Sequence, residues 1–360
     1  MILTGRFRFK LRLLPLGLLF TIFAQAADQH WLRVSSDHFV VLTDANQKKG
    51  HEISAHFEQM RAIFAQLLMR KQVRMGEPIE ILALADPAKY SQLAPSVNGQ
   101  PINRAGFYIS GEDRVFIVLN AADPDSWRAV EHPLAHYFLN YNYPPTQPWF
   151  DEGFAEYFAS LNLTAQAVEL GGDPGVTPPT SNLKTGQAQN ASPVTSAVEK
   201  PLADILDRSP WLTLTDLLQS KPRDGVGDER PDTIFAAQSW ILVHYLISQD
   251  KLSETGTYFG LVELQKVPVA QAVEQAFEMP PTQLDSALKQ YFQTLKPVLA
   301  ARRETRVMNK AGAGAQRNQS PLPFSIDEVS TTANSVALAE AMALVDEMEL
   351  RIPERRAQAT

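Results

Sequence analysis

Two histidines stand four residues apart in His132-Pro133-Leu134-Ala135-His136, and Glu152 follows sixteen residues after the second. On a helix, positions i and i+4 share one face, so the two imidazoles can hold a single metal ion. A carboxylate from the next helix, Glu152, completes a three-ligand set. Glu156 lies one turn further on the same face, placed to accept a hydrogen bond from a ligating imidazole. Such a site polarises a bound water for hydrolysis, and a glutamate directly after the first histidine usually takes the water's proton. Here that position is Pro133, which can accept no proton. In a continuous helix, proline also removes the N–H that would bond the Ala129 carbonyl and crowds that carbonyl, so a kink in the ligand helix is expected. Glu131 is no obvious substitute. With the metal face centred between the histidines, position 133 lies about 80° to one side and Glu131 about 120° to the other. The catalytic residue is therefore unassigned. The bland alternative is a pair of core-facing helices whose histidines only hydrogen-bond to carboxylates.

The surrounding pattern supplies the elements that must carry these groups. Residues 31–44 read as two short strands around a turn. Residues 48–73 form a helix, because Ile53, Phe57, Met60, Ile63, Phe64, Leu67 and Leu68 recur at helical spacing. Pro78 to Leu84 is a strand, Tyr90 to Asn103 a loop, and Ala105 to Leu119 a hairpin turning at Ser110–Asp113. The ligand helix is expected to start at Asp123-Pro124, a good cap followed by a good first position, and to run to Asn140. After a tight turn at Tyr143-Pro144-Pro145, the Glu152 helix starts near Pro148. Residues 164–200 are rich in Gly, Pro, Thr, Ser, Asn and Gln and read as a long exposed loop. Six helices follow, at about 201–208, 213–219, 233–249, 254–265, 268–277 and 281–302. Residues 309–324 read as a linker and 333–351 as an amphipathic helix. The expected class is α+β, a mixed sheet with helices followed by a mostly helical subdomain. The expected divisions are 1–26, 27–163, 164–200, 201–308 and 309–360.

The first segment stands apart. Arg6, Arg8, Lys10 and Arg12 precede an apolar run from Leu13 to Phe23, and Ala24-Gln25-Ala26 gives a small-x-small cleavage site. This is the pattern of a secretory signal peptide, with Ala27 as the mature start. The run is shorter than the roughly 20 residues that span a bilayer. Without those four basic residues, 29 basic residues face 40 acidic ones, a net charge of −11. That balance argues against nucleic acid and anionic membranes as partners. An exported chain with no cysteine has neither disulfides nor a lipid-attachment cysteine, so a periplasmic or secreted protein is expected.

With these motifs in place, the chain resembles the gluzincin peptidases, specifically the bacterial peptidase MA-like group, over about residues 31–300. The resemblance rests on Trp31 with Ser36-Asp37-His38-Phe39, on Ala105-Gly106-Phe107-Tyr108, on the His132 and His136 pair, on Trp149 through Tyr157, and on Gln238-Ser239-Trp240 with Val243-His244-Tyr245-Leu246. It implies a zincin-like fold, zinc held by His132, His136 and Glu152, and an extended peptide or protein segment lying along the Phe107 hairpin by strand addition. Two departures stand out. Proline replaces the glutamate of His-Glu-x-x-His. Ala236 stands where relatives often carry a tyrosine, a candidate oxyanion stabiliser. Three readings follow: a zinc-binding but catalytically impaired peptide binder, an active zinc peptidase with a substitute base such as Glu156, and a metal-free structural or partner-binding module.

The other histidines read as structural. His51 and His56, five apart, have the wrong spacing to share an ion and are expected at the surface. His38 precedes a strand. His244 falls on the Ala237, Trp240, Ile241 face, as a satisfied core histidine would. The apolar stripe Ala337, Leu338, Ala341, Leu344, Val345, Met348 is open to packing on the domain or to a partner.

Overall fold

A computed structural model of the chain describes residues 30–76, 79–97, 100–102, 104–111, 113–143, 147–164, 167–174, 201–220, 233–308 and 319–352. The expected signal peptide, residues 144–146 of the expected turn, residues 175–200 of the expected loop at 164–200 and residues 309–318 of the expected linker lie outside them.

The front half alternates strands and helices. β1 (Trp31–Ser35) and β2 (Val40–Thr43) lead into α1 (Gln47–Leu67), where the Asn46 side chain accepts from the Lys49 N–H at 2.9 Å. Such a cap satisfies one of the orphan donors of a first helical turn. β3 (Ile79–Leu84) follows, then α2 (Pro87–Leu93). Residues 90–93, expected as loop, are thus the end of a helix. The Asp86 side chain caps α2, Pro87 takes its first position, and Tyr90 and Leu93 bury against the sheet. Next come the short pair β4 (Ser96–Val97) and β5 (Gln100–Pro101), then the hairpin of β6 (Gly106–Ser110) and β7 (Val115–Asn120).

Two helices carry the motif residues: α3 (Glu131–Asn142), after a 3-10 turn at Ser126–Val130, and α4 (Pro148–Phe158). β8 (Asn162–Leu163) and β9 (Ala167–Glu169) form a small ribbon where a loop was expected to begin. The helical half holds α5 (Leu202–Arg208), α6 (Leu214–Gln219), α7 (Thr233–Ser248), α8 (Glu254–Phe259) with a π-turn at Gly260–Leu264, α9 (Val269–Phe277) and α10 (Pro281–Met308). These match the six expected helices closely. The chain returns through β10 (Gln319–Pro321), β11 (Thr332–Val336) and α11 (Leu338–Glu349). Gln319–Pro321, at the end of the expected linker, is thus a strand, and the helix expected over 333–351 begins only at Leu338, after the strand Thr332–Val336.

The main sheet is mixed, in the order β11-β1-β2-β3-β7-β6. β3 runs parallel to β2 and β7, and the outer pairs are antiparallel. The central strands are near-continuous apolar runs because both faces are covered. Ile81, Ala83, Ile117 and Leu119 point into the main core with α1, α3 and α4. Leu42, Leu82, Phe116 and Val118 point the other way, beneath α2 and α11. The C-terminal stripe thus packs on the domain: Ala341, Val345 and Met348 are buried against that outer face. α7 is apolar all round and buried from Phe235 to Leu246, as befits a helix enclosed by others. No helix among the described residues is long and apolar enough to cross a membrane.

Candidate metal centre

The ligand helix begins later than its sequence suggests. α3 starts at Glu131, and Val130 breaks the path with φ −119° and ψ 8°. Pro133 is therefore the third residue of the helix and not an interior one. The first four N–H groups of a helix have no partner within it, so proline there forfeits little. The expected kink becomes a boundary: the 3-10 turn ends, the α-helix begins, and both histidines sit on regular helix.

α4 opens with Pro148 in the first position. The Gln147 side chain accepts from Trp149 Nε1 at 3.0 Å and donates to Glu263 at 2.9 Å, anchoring the entry. Trp149, Phe150, Phe154 and Phe158 pull one face into the core. On another side Gly153 meets α7, where an added Cβ would lie 2.2 Å from the Ser239 carbonyl oxygen. This contact presses α4 directly on the α7 backbone and leaves its polar face toward α3.

That face brings the expected residues together. His132 Nε2 lies 3.6 Å from Glu152 Oε1, and His136 Nε2 lies 3.6 Å from Glu152 Oε2. One ligand atom from each of the three lies within 4.8 Å of the others, so the group can hold a metal ion. The 3.6 Å separations exceed ordinary hydrogen bonds. They approach the edge of a coordination tetrahedron, about 3.4 Å for metal–ligand bonds of about 2.1 Å. The imidazoles meet at 76°, with centroids 4.7 Å apart, and so approach from separate directions. Glu156 is fully buried, with Oε1 3.7 Å from the same His132 Nε2. It stands on the metal-facing side of His132, beyond hydrogen-bond reach of that nitrogen. Burying carboxylates costs several kcal/mol per charge unless a cation compensates, and this donor set suits a divalent ion.

Asp151 is the residue that spacing missed. Its Oδ2 lies 3.0 Å from His136 Nδ1. That contact fixes the proton on Nδ1 and leaves the Nε2 lone pair directed at Glu152. The available signal was adjacency: Asp151 lies one residue before the third ligand, and so one helical step around α4.

A strand edge lies against the turn that leads into the ligand helix. β6 is the last strand of the sheet and packs against the 3-10 turn that precedes α3. Gly111 N–H donates to Arg114 O at 3.0 Å and Asn120 N–H to Ala105 O at 2.8 Å. With the observed register, Phe107 and Ile109 turn their backbone groups toward β7, and Gly106, Tyr108 and Ser110 turn theirs away from it. Phe107 itself packs into the outer-face core beside Tyr90.

The remaining histidines divide. His244 is 5% exposed; its Nε2 faces the Gly171 carbonyl at 3.1 Å and its Nδ1 accepts from Tyr291 Oη at 2.7 Å. Burial pushes its pKa down to about 4, so it is neutral in the core. His38 bonds Glu58 at 2.9 Å, and His51 bonds Thr331 at 3.0 Å. His56, expected at the surface, is half-buried and stacks on Trp127 at 4.9 Å; burial lowers its pKa. Ala236 is buried and offers no hydroxyl. Comparison of the chain with protein-family models and with curated proteins finds no match in either, so the geometry of the site carries the functional reading.

Proposed function

We propose that this chain is an exported, zincin-like protein of the gluzincin kind, one that holds zinc and binds an extended peptide segment without efficient hydrolysis. The observation that carries this is the placement of Pro133. In the first turn of α3 it removes the general base yet leaves both histidines on an intact helix. His132, His136 and Glu152 would hold the ion, and Asp151 would orient His136. Zinc in such a site supplies Lewis-acid polarisation of a carbonyl or water. The edge of β6 supports strand addition, with Gly106, Tyr108 and Ser110 as the residues whose backbone groups are turned outward. Pro133 offers no lone pair to receive a proton and no carboxylate to return it to a leaving amine.

One observation favours a second reading. Glu156 is buried beside His132 and is the carboxylate best placed to act as a substitute base. Metal analysis of purified protein, with cleavage assays on unfolded protein substrates, separates the readings. The first predicts about one zinc per chain, no turnover by the natural protein, and turnover by Pro133→Glu. Chelator-sensitive turnover by the natural protein that disappears in Glu156→Gln would establish the second. Absence of metal from both forms would leave a binding module alone.

A further inference from the structure

Of the five tryptophans in the chain, Trp31, Trp127, Trp149 and Trp240 are buried at 2% exposure or less. Trp211 is not. It sits in the connection between α5 and α6, half-exposed, at the wall of an open cleft of about 530 Å³. The cleft is lined by Ser209, Pro210, Trp211, Lys289, Gln290 and Gln293, the last three on α10. It shares no residue with the metal cluster.

The ring is held in place. Trp211 Nε1 donates to the Leu206 carbonyl at 2.8 Å, and Phe292 supports the ring at 5.9 Å and 54°. The indole's polar atom is thus used inside the protein, and what remains for the cleft is aromatic surface, over which the mobile end of the exposed Lys289 side chain extends. The rest of the wall is of a different kind. Gln290 and Gln293 are exposed amides, each offering both donors and acceptors, and Ser209 adds a hydroxyl. Among the described residues, the only charge in the lining is Lys289, whose Nζ lies 2.7 Å from Asp285 Oδ2 and 5.9 Å from the Trp211 ring centroid. Asp285 balances it, so the wall offers no net charge to recruit an anion.

One rigid aromatic surface beside neutral groups that both donate and accept hydrogen bonds matches a particular chemistry. A pyranose ring has an apolar C–H face and a rim of hydroxyls that donate and accept together. The face lies on indole, and the rim meets amides and hydroxyls. The cleft is open to solvent, so a saccharide would rest along its wall and not be enclosed. We infer that the Trp211 cleft is a binding site for a neutral saccharide. A proline-rich peptide would also lie on tryptophan, but its recognition uses a groove lined by several aromatic residues, and here the cleft has one.

Trp211 makes the test specific, because it is the tryptophan that a ligand in solvent can reach. The full-length protein is titrated with cellotetraose, with triacetylchitotriose and with a proline-rich decapeptide, following tryptophan emission and acrylamide quenching. The expected result is a saturable emission shift with one of the saccharides, with Kd on the order of 1 mM for so open a site, and protection from quencher. Trp211→Ala removes the shift. Because Trp211 also packs on Phe292, the exposed pair Gln290→Ala/Gln293→Ala serves as a second variant; it should keep the unliganded emission and weaken binding at least tenfold. Absence of a saccharide-dependent shift at twenty times that concentration would overturn the inference. So would a shift unchanged in the glutamine pair, or binding of the peptide in place of the saccharides.

Discussion

Acidification tests the core around His244. Its Nδ1 accepts from Tyr291 Oη, so the ring carries its proton on Nε2 and donates to the Gly171 carbonyl. Arg302 donates to the same carbonyl at 3.1 Å, and the rings of Tyr157 and Trp240 close the site. A second proton would break the Tyr291 hydrogen bond and place a cation beside Arg302 in a dry core. Burial accordingly holds the pKa down to about 4, against an ordinary value of 6.5. The sign follows: between these values the unfolded chain binds more protons, so stability is complete above pH 6.5 and falls as pH drops toward 4. From pH 7.5 to pH 5 the loss is about 2 kcal/mol, approaching about 3 kcal/mol at lower pH. Urea denaturation of metal-free protein measures it, and His244→Gln isolates it from the other titrating groups. The variant should be weaker at pH 7.5 by about 1–2 kcal/mol through lost hydrogen bonds, yet lose about 2 kcal/mol less than the natural protein on going to pH 5. Equal losses in the two proteins would show that His244 is not held neutral by its surroundings.

Three further predictions concern the site and its frame. Asp151→Asn weakens the hold on His136 and should lower metal affinity by about 10–100-fold in competition with a chromophoric chelator; unchanged affinity would remove Asp151 from the site. Pro133→Ala should change stability by less than about 1 kcal/mol in urea, because the residue lies in the first turn; a gain of about 3 kcal/mol would restore the interior kink. Gly153→Ala drives a methyl into the Ser239 carbonyl and should cost about 1–3 kcal/mol; a neutral result would mean that α4 and α7 have room to separate.

The legible parts of the chain were those whose signals are local. Pro148 marks the start of α4, the apolar spacing of α1 predicts its buried face, and the i, i+4 spacing of His132 and His136, with Glu152 one helix downstream, points to the cluster. The start of α3 was misread because Asp123-Pro124 has the chemistry of a cap, whereas Pro133 favours a boundary only once the first turn is located. β11 was hidden for another reason. Thr332-Ala333-Asn334-Ser335-Val336 has no clear alternation and lies at a sheet edge, so its strand character comes from β1. β9 is three residues long and paired with β10 from far along the chain. His56 owes its burial to Trp127, which no spacing rule connects to it. β11, β9 and the burial of His56 share one cause, a partner distant in sequence.

The pairing of β1 with β11 also bears on how the chain reaches this shape. Trp31 lies opposite Val336, about 300 residues apart, so the first described strand waits for the last. Until α11 arrives, Leu42, Leu82, Phe116 and Val118 lie on a sheet face that α2 covers only in part. A polypeptide made from its N-terminus therefore passes through a stage in which the outer face of its front half is only partly covered. That stage is the one most exposed to self-association. Loss of the final thirty or so residues would prolong it indefinitely, and damage there would register as poor yield well before it registered at the metal cluster.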